Sequence, residues 1–101
     1  MKVYTNSEIN EIPFYQSWLV GTIENINYND LVNILGQSTY NEPSGDNKTQ
    51  VEWVIEFEGN IFSIYDWKIY NREFTLNNLD VWHIGGNTDP SKLIDFIKSK
   101  L

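Results

Sequence analysis

The sequence predicts an α+β fold: a four-stranded, mainly antiparallel sheet with two helices, in the order β-α-β-β-β-α, within a single domain spanning residues 1–101. Three observations carry this expectation. Residues Val51 to Phe57 alternate, with Val51, Trp53, Ile55 and Phe57 on one side and Glu52, Val54 and Glu56 on the other, the pattern of a strand with unlike faces. A Glu58-Gly59-Asn60 turn signal separates this run from Ile61–Lys68, so the two should pair as an antiparallel hairpin. Helix-boundary chemistry opens two further segments, one after Asn27 and one after Asp89.

Taken in order, residues 1–15 are mixed in character and contain Pro13, which fits a short edge strand or an arm. Ser17 to Asn25 reads as a strand, with Leu19 and Ile23 on one face and Trp18, Val20 and Thr22 on the other. Gly21 weakens it locally or marks a close backbone approach. Asn27 is placed to cap a helix, and Asp30 stands at the third helical position, where a carboxylate meets the positive end of the helix dipole. Leu31, Ile34 and Leu35 form the apolar stripe of that helix, and Gly36 is its stop. Residues 37–49 form a polar loop long enough to carry function. Residues 69–79 read as a second polar connection, pinned by Phe74, ahead of a last short strand from Asp80 to Ile84. In the C-terminal segment Asp89 can cap, Pro90 suits the first helical position, and Leu93, Ile94, Ile97 and Leu101 recur at helical spacing. Lys98 and Lys100 lie near its end, as the dipole prefers.

Composition narrows the function. A formal charge of −7 argues against direct nucleic-acid binding, because Lys and Arg neutralising phosphates supply most of that affinity. The same charge suits plain solubility or a basic partner. The absence of cysteine excludes disulfides and thiolate metal sites and fits a cytosolic protein. One histidine argues against a zinc site, which usually takes several ligands of that kind. No run approaches the ~20 apolar residues of a membrane span, and the Met1–Asn6 start lacks a signal-peptide core. Neither metal nor cofactor is expected.

Two five-residue stretches differ from ordinary strand sequence: Ile64-Tyr65-Asp66-Trp67-Lys68 and Trp82-His83-Ile84-Gly85-Gly86. Between them they hold the only His, two of the four Trp and the only Gly-Gly pair. On a strand, Tyr65 and Trp67 share one face while Asp66 and Lys68 share the other. The rings can then stack a flat base while the charged pair reads its polar groups. Alternatively, the rings belong to the core and the charges to a solvated face. Gly85 and Gly86 can expose successive N–H groups to an anion, near the helix start at Pro90, with His83 donating and Trp82 adding a ring. They equally suit a strand-to-helix turn. His83 as a base oriented by Asp66, completed by Tyr65, Thr22 or Ser63, is the catalytic alternative. Glu52, Glu56 and Glu58, with Glu42 and Asp46 in the preceding loop, form an acidic stripe that either mimics DNA or is an ordinary exposed face.

Together with Trp18-Leu-Val-Gly21-Thr-Ile, Tyr28-x-x-Leu31-Val32-x-x-x-Gly36 and Trp53-x-Ile-x-Phe57-x-Gly59, the two motifs resemble a family of small proteins encoded by bacteriophages and other large DNA viruses, over roughly residues 17–101. The resemblance implies a viral accessory protein that blunts host defence in the host cell cytoplasm. The resulting expectation is a protein that binds and sequesters a small nucleotide-type immune signalling molecule. Its ligand-binding residues would be Tyr65, Asp66, Trp67, Lys68, Trp82, His83, Gly85 and Gly86, at a subunit boundary of a homo-oligomer. The alternatives are an acidic inhibitor of a host defence nuclease and a small phosphoesterase using His83.

Overall fold

The structure, a computed structural model, describes residues 1–12 and 17–101. Five strands among these residues form one sheet: β1 (Lys2–Val3), β2 (Trp18–Glu24), β3 (Glu52–Phe57), β4 (Asn60–Tyr65) and β5 (Val81–Gly86). Their spatial order is β1-β3-β4-β5-β2, and every neighbouring pair is antiparallel. The α+β class holds, with one strand more than the four expected. Lys2 and Val3 pair with Glu56 and Ile55, so the first residues extend the sheet edge. Residues 13–15 of the segment expected as an edge strand or arm lie outside the described residues.

Three α-helices occur among the described residues: α1 (Tyr28–Leu35), α2 (Arg72–Asn77) and α3 (Ser91–Lys98), with a 3₁₀ segment at Asn6–Glu11. In α1 the cap is reciprocal. Asn27 Oδ1 accepts from the Asp30 amide at 2.8 Å, and Asp30 Oδ2 accepts from the Asn27 amide at 3.2 Å. Gly36 ends the helix at φ 83°, a conformation that favours glycine. Helix α2 replaces the expected loop around Phe74. The Asn71 carboxamide oxygen accepts from the Glu73 and Phe74 amides and starts the turn.

The core lies between one sheet face and the helices. Trp53 and Trp82 meet edge to face with centroids 5.7 Å apart. Each indole N–H finds a carbonyl, Trp53 on Gly36 and Trp82 on Ile26, so neither buried donor is orphaned. Ile55, Ile64 and Ile84 complete the sheet side, and Leu31, Leu93 and Ile97 the helix side. Strand alternation turns Val54 and Ile61 to the opposite face, where Tyr4 covers them together with Ile12 and Tyr40.

Strand β4 stops at Tyr65 rather than running to Lys68, and Asp66 shows why. Its carboxylate takes over where the β3–β4 ladder ends. Oδ1 accepts from the Gln50 and Val51 amides at 2.8 and 3.1 Å, and Oδ2 accepts from the Thr75 hydroxyl at 2.7 Å. Asp66 is 1% exposed, so the charge is held by these donors rather than by water. The clamp fixes the 41–51 loop and α2 to the end of β4. Arg72 reinforces it by donating to the Gln50 and Asn41 carbonyls. Replacing Asp66 by Ala leaves buried donors without partners and is expected to cost about 3 kcal/mol or more. Thr75→Val should cost about 1 kcal/mol. Urea denaturation of both variants checks the ranking; equal stabilities would contradict it.

Candidate functional site

The sheet face opposite the helices carries a groove of about 290 Å³ across β3, β4, β5 and β2. Pairing aligns its parts. Glu52 stands directly across from Tyr65, Ser63 across from Gly85, and Gly85 across from Leu19. Gly85 and Ser63 make the floor, because strand alternation points them outward and glycine leaves a gap where its neighbours have side chains. Trp18 and Leu19 enclose the groove from the β2 side, Thr49 and Glu52 from the β3 side, and Tyr65 and Trp67 from the end of β4. A second depression of about 630 Å³, lined by Ile9, Ile12, Tyr40, Pro43 and Val54, shares Thr49 and Glu52 with the first.

The rings of the groove are ordered by one another. Tyr65 meets Trp67 edge to face at 6.2 Å and meets His83 on its other side at 5.8 Å. Trp18 is 58% exposed and Trp67 43%, so both offer open aromatic surface. The Lys48 ammonium lies 5.7 Å from the Trp67 ring centroid, a cation–π contact beside the groove.

Glu52 is the charged residue of the lining. Burial pushes its carboxyl above the usual carboxylate range; the Ser63 hydroxyl partly offsets this, and the Asp66 charge adds to it. Burial also raises the Tyr65 phenol, with a further push from Glu52.

Among the residues singled out from sequence, Tyr65 and Trp67 line the groove. His83 stands behind Tyr65 as a packing partner. Others are placed differently. Asp66 points to the helix side, its oxygens occupied by Gln50, Val51 and Thr75, so it neither reads a ligand nor orients His83. Trp82 is wholly buried in the core. Gly85 and Gly86 are strand residues opposite Leu19 and Trp18, not a turn, and β5 is an interior strand whose peptide groups face its neighbours. Glycine is needed there for space: a Cβ on Gly85 would lie 2.7 Å from Ser63 Oγ, and one on Gly86 2.9 Å from the Phe62 ring. The expected anion seat at α3 is filled from within, since Asp89 Oδ1 accepts from the Ser91 amide and hydroxyl. Lys68 is exposed in a left-handed conformation, φ 57°, its amide bound to the Lys48 carbonyl. The acidic stripe is broken, for Glu52 is half-buried and Glu58 lies in the hairpin turn, 3.8 Å from the Lys92 ammonium.

Sequence reasoning missed Trp18, Thr49 and Ser63 as lining and assigned Glu52 to a solvated stripe. The expected pairing of Leu19 with Ile23 on one face is also corrected: a register shift between Leu19 and Gly21 puts Leu19, opposite Gly85, on the groove face, and Trp18, opposite Gly86, on the same face as Ile23. Comparison with known protein families, curated proteins and solved structures returns no match.

The upward shift of Glu52 has a stability consequence. An acid that binds its proton more tightly when folded makes the folded state lose stability as pH rises from the ordinary Glu value of 4.5 through the higher folded value. Glu52→Gln should therefore raise the melting temperature at pH 7 and do so less at pH 4. Calorimetry at both pH values checks this; a gain that is the same at both contradicts it.

Proposed function

We propose that the protein captures a small nucleotide-type ligand by its base, which lies in the groove against Trp67, and that capture without turnover is its activity. The observation that carries this reading is the exposed Trp67 indole, 43% accessible, beside a glycine floor and a half-buried carboxylate. Water-facing tryptophans with polar groups at hand are what base recognition uses: the rings supply sequence-tolerant stacking of about 1–3 kcal/mol per base, and the polar groups read the edge. No Lys or Arg lines the groove among the described residues, so phosphates are not drawn into it. Lys48, over Trp67, is the neighbouring cation, which supports a reading with the phosphate end outside the groove and the base within.

The separation of His83 from Asp66 favours holding over cleavage, because a general base must reach the proton it removes. In the setting that the viral resemblance implies, a protein of this kind withdraws a host nucleotide signal by mass action.

Trp67→Ala removes most of the stacking surface and should weaken binding of a guanine nucleotide or a cyclic dinucleotide about tenfold. Phe74→Ala, which truncates an exposed ring on α2, should leave it unchanged. Isothermal titration of the two variants distinguishes the outcomes. Full affinity retained in Trp67→Ala would remove the reading.

A further inference from the structure

Given the base-binding reading of the groove, on which this inference rests, we propose that Glu52 makes the groove selective for a base edge with two adjacent N–H donors, that of guanine. An ionised carboxylate only accepts hydrogen bonds, and its two oxygens can take two parallel N–H donors from one planar edge. The guanine Watson–Crick edge presents N1–H beside the N2 amino group, which is that pattern. Adenine and cytosine each set a ring-nitrogen acceptor beside their amino group, and uracil flanks one N–H with two carbonyls. Each of these turns a lone pair toward the second carboxylate oxygen.

The surroundings of Glu52 sharpen the choice. The other polar groups of the lining are hydroxyls, from Ser17, Thr49, Ser63 and Tyr65, which can donate or accept and so tolerate any edge. The carboxylate is the group that discriminates. It projects from β3 directly across from Tyr65, into the same groove as Trp67. It is also half-buried, so a ligand covering it without donors removes its water and returns nothing. Rejection of a ligand that leaves a buried polar group unpaired is stronger than rejection by shape alone. The acidity of the whole chain works in the same direction, because it disfavours phosphate-led binding and leaves the base edge to decide.

The test is titration of the intact protein at pH 7.5, followed by tryptophan fluorescence and calorimetry, with guanosine, inosine, 1-methylguanosine and adenosine. Guanosine should bind most tightly. Inosine, which lacks the N2 amino group, and 1-methylguanosine, which lacks N1–H, should each bind about tenfold more weakly. Adenosine should be weaker still. In Glu52→Gln the gap between guanosine and adenosine should close while stacking on Trp67 keeps both detectable. Adenosine binding as tightly as guanosine, or a guanosine preference that survives Glu52→Gln, would overturn the role of Glu52 and leave base capture standing. Failure of all four nucleosides to bind would overturn base capture itself.

Discussion

The Asp66 carboxylate is the interaction on which the arrangement depends. One buried side chain joins the start of β3, the end of β4 and helix α2, three segments separated in sequence by loops that have little apolar content of their own. Without it, the 41–51 loop would be left to the Gln50 and Arg72 hydrogen bonds and to the Lys68 amide on the Lys48 carbonyl. That loop carries Lys48 and Thr49, and the turn after Asp66 carries Trp67. The clamp therefore sits one residue away from the groove on each segment, positioning its wall without entering it.

The groove combines groups that a folding domain ordinarily keeps apart. Its tryptophan, Trp67, is open to water, and its carboxylate is partly withdrawn from water. Each arrangement is unfavourable in the free protein, and each is relieved by a flat ligand with donors along one edge. The core bears no such tension: its two indoles are fully paired and its aliphatic groups pack from both sides. Stability is concentrated between the sheet and the helices, while the opposite face is left free to be costly.

Where a local rule decided the structure, the sequence was legible. The Asn27–Asp30 capping pair, the stop at Gly36 and the alternation of Val51–Phe57 each act over a few residues, and each appears where expected. Strand β1 escaped because two residues carry no period; only its partner Glu56–Ile55 defines it. Helix α2 escaped because its stripe is a single buried Thr75, although Asn71 with Glu73 two residues later was a readable start. The site was legible in parity and not in depth. Tyr65 and Trp67 both reach the groove, although Trp67 lies in the turn beyond β4, but which side the helices cover is set by residues far along the chain. Asp66 therefore looked free and is clamped, Trp82 looked available and is core, and Glu52 looked solvated and is half-buried. The Gly85-Gly86 pair misled for a related reason, since its glycines answer to Ser63 and Phe62 on a neighbouring strand rather than to any turn of their own.

A groove floored by Gly85 also limits how this protein can change. Its deepest surface is main chain, which no substitution can recolour with new chemistry. Any side chain introduced there meets Ser63 and then Tyr65, filling the groove instead of retuning it. Divergence in ligand preference must come through the walls, from Leu19, Glu52 and Trp67, which stand on three separate segments and can drift one at a time. A lineage exploring new ligands would keep its floor constant and vary its rim.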